Sequence, residues 1–170
     1  MTRQGFTLLE LLITLTVLSV LLMMGLPSFT QWIHSTRLEA ATEALSASVQ
    51  LARSSAVMRN QRVTMRNLGN WASGWEVFVD LDNDGARGGG EPLLLSRGVQ
   101  AGIRVIANRP VRDYISFVGT GESRLAGAPL GGFQAGTLQV CAQDGEAGYA
   151  LILAPGGRMR MKKASATHCA

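Results

Sequence analysis

The densest chemistry in the chain is cationic. Arg158, Arg160, Lys162 and Lys163 fall within the run Gly157-Arg158-Met159-Arg160-Met161-Lys162-Lys163, and no acid follows Glu146. On a strand, alternate side chains share a face, so Arg158, Arg160 and Lys162 project together while Met159 and Met161 turn the other way. Alternate residues stand about 6.6 Å apart, close to the roughly 7 Å between successive phosphates along one DNA strand. Such a row suits a phosphate backbone, bound without reading base sequence and weakening steeply with salt. The same alternation also protects an exposed sheet edge from pairing with another chain. A second basic group, Arg53, Arg59, Arg62 and Arg66, lies where no acid occurs between Glu43 and Glu76. Arg59, Arg62 and Arg66 either extend the phosphate-binding surface or complement the C-terminal dipole of a helix.

The acidic counterpart is Asp80-Leu81-Asp82-Asn83-Asp84-Gly85, with Glu91 twelfth in the series. That spelling matches a calcium loop of the EF-hand kind, in which carboxylates surround the ion and Gly allows the sharp turn. Trp75 to Asp80 reads as a strand, however, where an EF-hand has its entering helix, and Arg87 takes a position normally apolar. A plain turn is the main expectation, with a calcium site at Asp80, Asp82 and Asp84 the alternative. His34 and His168 show no ligand spacing to each other or to the cysteines. No nucleophile and base pair can be assembled from the sequence. The chain is expected to be no enzyme and to carry no cofactor.

With 170 residues and 46% hydrophobic content, the chain has room for one globular domain and an accessory segment, and excludes two large domains. Only 16% of residues are charged, so a real core is available and disorder is excluded. The formal net charge is +4. Arginine dominates the basic residues, and its planar guanidinium suits phosphate and carboxylate.

The elements that must position these groups begin at the N-terminus. Phe6 to Leu26 forms an apolar run broken by Glu10, near the roughly 20 residues a helix needs to span hydrocarbon. Arg3 sits where positive-inside orientation keeps it cytoplasmic, so the rest of the chain is exported. A carboxylate at Glu10 costs about 2.5 to 3.5 kcal/mol in a bilayer and calls for a partner. Beyond Pro27, Leu38, Ala41, Leu45, Val49, Ala52 and Ala56 recur at helical spacing, with Thr42, Glu43, Ser46 and Gln50 on other faces. One helix from Phe6 to Arg59 is expected. After Asn60 come eight β-like runs: Arg62 to Arg66, Trp75 to Asp80, Leu93 to Ser96, Ile103 to Ala107, Tyr114 to Val118, Thr137 to Ala142, Tyr149 to Ala154 and Arg158 to Lys163. Pro155-Gly156-Gly157 joins the last two as a hairpin. Gly119 to Gly136 reads as a long surface loop, the segment expected to move most. In an exported domain the even pair Cys141 and Cys169 is expected to form a disulfide.

Gly5-Phe6-Thr7-Leu8-Leu9-Glu10 resembles the prepilin peptidase site of type IV pilins and type II secretion pseudopilins. The resemblance implies cleavage after Gly5, N-methylation of Phe6, and Glu10 facing the terminal amine of a neighbouring subunit in a filament. Gly74-Trp75, Phe78, Asp80 and Asp82-Asn83-Asp84-Gly85 resemble the strand and turn of the GspH/FimT branch of that family, and Gly157-Arg158-Met159-Arg160 resembles the Gly-Arg-x-Arg motif of FimT-type minor pilins.

The implied fold is α+β and pilin-like: leader 1–5, transmembrane or filament-core helix 6–28, amphipathic helix 29–60, and a β-rich domain 61–170 ending in the basic hairpin. The implied function is a minor pilin binding double-stranded DNA through Gly157, Arg158, Arg160, Lys162 and Lys163 for uptake in natural transformation. Its partners would be DNA, other pilins, prepilin peptidase and the inner membrane, with the domain in the periplasm until extraction into an extracellular pilus. A structural minor pilin, or a GspH-like pseudopilin that does not bind DNA, is the alternative. A third reading, a calcium-dependent adhesin, rests on Asp80 to Asp84.

Overall fold

The computed structural model describes residues 7–98, 100–128, 131–143, 145, 147–164 and 169, without the side chains of 24–31. The chain separates into two compact units, Met1–Thr36 and Arg37–Ala170. Helix α1, Leu8–Arg59, runs through both. It starts with a side-chain cap: the Glu10 amide donates to Thr7 Oγ1 at 3.3 Å. Thr7-x-x-Glu10 is the spelling of a capping box, and the acid also suits the positive end of the helix dipole. Thr7 thus caps the helix, a role that the sequence reading missed. Apolar side chains from Leu8 to Met23 are exposed all round. Thr14, Thr16 and Ser19 return their hydroxyls to carbonyls three residues earlier, each at 2.8 Å, so their polar atoms are satisfied within the helix. Among the described residues no helix is long and apolar enough to cross a membrane.

In the second unit α1 changes character. Leu38, Ala41, Leu45, Val49, Ala52 and Ala56 are all buried, the stripe expected from their spacing. Thr42 is buried too, against expectation. Its hydroxyl donates to the Leu38 carbonyl at 2.7 Å, which lets a small polar residue sit on the core face. The helix stops at Asn60, in the left-handed region at φ 49, with the Gln61 amide donating to the Ala56 carbonyl.

All eight strands are present: β1 Val63–Asn67, β2 Trp75–Val79, β3 Leu93–Arg97, β4 Ile103–Ala107, β5 Tyr114–Phe117, β6 Gly136–Ala142, β7 Gly148–Leu153 and β8 Met159–Ala164. They form two antiparallel four-stranded sheets, in the orders β3-β2-β1-β5 and β4-β6-β7-β8. Val63, Met65, Trp75, Val77, Ile115 and Phe117 of the first sheet and Leu138, Val140, Leu151 and Leu153 of the second share one core with the α1 stripe. Trp75 is fully buried, and its indole N–H donates to Ser48 Oγ on α1 at 2.9 Å. Trp71, Phe78 and Phe117 are buried as well. Phe133 is exposed, with the Arg124 guanidinium 4.2 Å over its ring.

The segment Gly119 to Gly136, expected to move most, is pinned at both sides. Ser123 and Gln134 are fully buried. Ser123 donates to the Gln134 carbonyl at 2.6 Å, and the Gln134 amide group is bonded to Pro110, Tyr114 and Ser116 backbone. Cys141 and Cys169 form a disulfide with their Cα atoms 5.7 Å apart, fastening the C-terminal segment to β6.

Candidate nucleic-acid interface

The basic run lies on a hairpin of β7 and β8, and β8 is an edge of its sheet. The register pairs Met159 with Leu153, Arg160 with Ile152, Met161 with Leu151, Lys162 with Ala150 and Lys163 with Tyr149. Directly opposed residues of an antiparallel pair share a face. Met159 and Met161 therefore lie on the side of the buried Leu153 and Leu151, and Arg160 and Lys162 on the opposite side. Lys163 falls by register on the methionine side, so it does not extend the Arg160 and Lys162 row. Arg158 stands just before the strand, its carbonyl accepting from the Ala154 amide at 2.9 Å. Arg158, Arg160, Lys162 and Lys163 are all exposed. Among the described residues none of the four side chains has a hydrogen bond or ion pair. Glu122, a conceivable partner, is engaged with Arg124 at 2.9 Å, while Asp144 and Glu146 lie outside the described residues.

The base of the hairpin is built by close backbone approach. Gly157 is buried at φ +74, and a Cβ there would run into the Gly121 carbonyl oxygen. Both facts demand glycine. Gly157 therefore shapes the turn and does not present a contact. Arg53, on α1, clamps the same point: Nε donates to the Gly121 carbonyl at 2.9 Å and Nη2 to the Gly156 carbonyl at 3.3 Å. These partners are 68 and 103 residues away in sequence, so spacing along the chain gave no signal for the clamp. Between this part of α1 and the hairpin lies an open groove of about 1220 Å³, lined by Gln50, Arg53, Ser54, Val57, Arg158 and Arg160 among others. Among the described residues no acidic side chain lines it.

The second basic group divides. Arg59 is exposed at the end of α1, its side chain without a hydrogen bond or ion pair among the described residues. Arg62 is not available to a ligand. It is buried, and its guanidinium donates to Asn83 Oδ1 at 2.8 Å, Ser116 Oγ at 2.7 Å, and the Arg124 and Ala128 carbonyls at 3.2 Å each. Burial lowers its pKa, opposed chiefly by the charge of Asp80. Arg66 is half-buried and donates to the Gly85 carbonyl at 2.7 Å. Both fasten the acidic loop to the first sheet, because β1 is a central strand and its neighbours close over it.

The acidic loop leaves β2 and leads to β3, so no helix flanks it and the EF-hand scaffold is absent. Asp80 is 1% exposed. Its Oδ2 accepts from Thr64 Oγ1 at 2.6 Å and from the Gly85 amide at 3.2 Å, while Oδ1 is buried with no partner. Burial raises its pKa, as does the neighbouring Glu91. Asn83 and Gly85 take positive φ, 62 and 76, and make the turn. Asp82 and Asp84 are exposed, and each accepts an amide two residues on. Glu91 braces the loop at both ends, accepting from Leu81 at 2.6 Å and Gly88 at 2.8 Å. At the N-terminus, the expected cleavage and methylation positions Gly5 and Phe6 lie outside the described residues.

With this geometry in place, the comparisons with known proteins decide the family. The model described as type II transport protein GspH matches residues 41–157. The chain belongs to the GspH family. The prokaryotic N-terminal methylation motif matches residues 1–26. Pilin-like protein PilA1 of Thermus thermophilus is 40% identical over 80 residues, 47% of this chain, and the chain spans half of that protein's length. The fold is similar to the type IV minor pilin FimU of Pseudomonas aeruginosa, with TM-score 0.58, 20% identity, and coverage of 77% of this chain and 92% of that one. It is also similar to the minor pseudopilin EpsH of the Vibrio cholerae type 2 secretion system, with TM-score 0.54, 11% identity, and coverage of 75% and 97%. This GspH-family chain thus has the pilin-like α+β fold that those two structures share.

Proposed function

We propose that this GspH-family chain is a minor type IV pilin of the FimT kind, which holds double-stranded DNA on its C-terminal hairpin for uptake in natural transformation. The observation that carries the reading is the unpaired cationic row at Arg158, Arg160 and Lys162, set on a turn that Gly157 and Arg53 hold against α1. Charges already paired inside the domain would have to be released before binding. These do not. Arg59 and Arg53 add positive potential, and phosphate contacts without base readout give weak binding per subunit, strengthened where several copies share a filament. In this reading the chain is cleaved after Gly5 and methylated at Phe6, anchored in the inner membrane by residues 6–28 with its domain in the periplasm, then extracted into the extracellular pilus. Glu10 would meet the terminal amine of a neighbour there.

The test is equilibrium binding of a short duplex by the full chain in detergent, compared with Arg158→Ala/Arg160→Ala. We expect at least a tenfold loss of affinity with an unchanged unfolding midpoint. Equal affinity in the two proteins would remove the hairpin from the reading and leave a structural minor pilin or pseudopilin, with the β8 charges serving edge protection.

A further inference from the structure

We infer that the Asp80–Gly85 loop is a calcium site, with carboxylate oxygens of Asp80, Asp82 and Asp84 as its protein ligands. One oxygen from each of the three lies within 4.8 Å of the others. Ligands held at the 2.3–2.6 Å usual for calcium stand at most about 5 Å apart across the ion, and the three oxygens fall within that span. Magnesium demands near-octahedral geometry and dehydrates reluctantly, so a loop offering three carboxylates suits it less well. The all-oxygen donor set also speaks against zinc or copper.

Acidic clusters are common on surfaces, and this one would carry little weight without Asp80. That residue is 1% exposed, and among the described residues its Oδ1 is the buried side-chain polar atom left without a hydrogen-bond partner. A buried carboxylate oxygen with no donor is costly unless something positive meets it. The guanidinium nearest in the network, Arg62, spends its bonds on Asn83, Ser116, Arg124 and Ala128 and none on Asp80. Thr64 and Gly85 both bond the other oxygen. The loop is also prepared in advance. Arg62 fixes Asn83, Arg66 fixes the Gly85 carbonyl, and Glu91 ties Leu81 to Gly88. The scaffold is a strand on each side, with no helix, so the site is a calcium loop built on a sheet edge and owes nothing to an EF-hand. It is independent of the DNA reading, since the hairpin contributes no ligand.

The experiment is thermal unfolding of the full chain in detergent, in chelator and then in calcium or magnesium up to 10 mM, together with calorimetric titration of calcium. The variant is Asp82→Asn/Asp84→Asn, at two exposed positions whose loss leaves the core intact. The inference predicts saturable binding in the 10⁻⁴–10⁻³ M range of extracellular modules, a rise of several degrees in the midpoint with calcium, and less than a degree with magnesium. It also predicts loss of the calcium shift in the variant, whose midpoint in chelator stays within two degrees of the unmutated chain. No saturable calcium binding by the unmutated chain would overturn it. So would an equal shift in the variant, which would put the ion elsewhere, or an equal response to magnesium.

Discussion

Two charged regions of this molecule look alike as sequence and differ as structure. The hairpin run Arg158 to Lys163 carries its charges on an edge strand in full solvent, unpaired. The group around Arg62, Asp80 and Arg66 carries charges inside a hydrogen-bonded network that closes the turn after β2. Charge in water costs the fold little and is free to meet a ligand. Charge in the network is structural, because every donor withdrawn from water must find an acceptor. The first region can thus be altered without harm to folding, and the second cannot.

Substitutions turn that contrast into numbers. The largest effect is expected from Arg62→Ala, which strands the buried Ser116 hydroxyl and leaves buried Asp80 without its nearby cation: a loss of about 3–5 kcal/mol in urea unfolding. A loss under about 1 kcal/mol would place Arg62 with the solvent-exposed arginines. Replacing both cysteines, Cys141→Ser/Cys169→Ser, should cost on the order of 3 kcal/mol, since the bridge closes a loop of sequence separation 28. Gly157→Ala forces a side chain into a positive φ and onto the Gly121 carbonyl, at about 2 kcal/mol, and should weaken DNA binding by displacing Arg158. Unchanged binding by a folded Gly157→Ala protein would separate the turn from the phosphate site.

A smaller effect concerns pH. Burial raises the folded-state pKa of Asp80 above its ordinary 3.8, so the folded chain binds this proton more tightly than the unfolded chain does. The group then weakens the fold above its folded pKa, and the penalty is relieved as pH falls through that value toward 3.8. In chelator, the pH slope of stability in that window should be smaller in Asp80→Asn than in the unmutated chain. Identical slopes would mean that Asp80 does not titrate there. The smallest effect on stability is that of Arg158→Ala/Arg160→Ala, within about 0.5 kcal/mol, even as it weakens DNA binding at least tenfold.

Much of the frame was legible before any coordinates. The α1 stripe from Leu38 to Ala56 repeats at helical spacing, and the eight strands are short apolar runs cut by Gly, Asn, Asp and Pro, so local pattern and tertiary burial agree. The hairpin was legible from the turn residues Pro155-Gly156-Gly157, and the Cys141–Cys169 bridge from an even cysteine pair in a domain expected to be exported. What escaped was the fate of individual arginines. Arg53, Arg59, Arg62 and Arg66 are one residue type in one acid-free stretch, yet Arg59 ends in solvent, Arg62 is enclosed, and Arg53 clamps turns formed far along the chain. Their partners are mostly backbone carbonyls, which every residue has, so composition holds no trace of the pairing. Thr42 escaped because a hydroxyl that bonds its own helix can be buried cheaply. Thr7 was visible as a capping-box spelling and was overshadowed by the apolar run after it.

The most direct test of the contrast is the salt dependence of DNA binding by the full chain, measured beside Arg158→Ala/Arg160→Ala. If the hairpin charges meet phosphates, log K should fall with log salt at a slope set by about three or four contacts, and the double substitution should shallow that slope by roughly two contacts' worth. The same slope in both proteins, or no binding at low salt in either, would contradict the assignment of Arg158 and Arg160 as phosphate contacts.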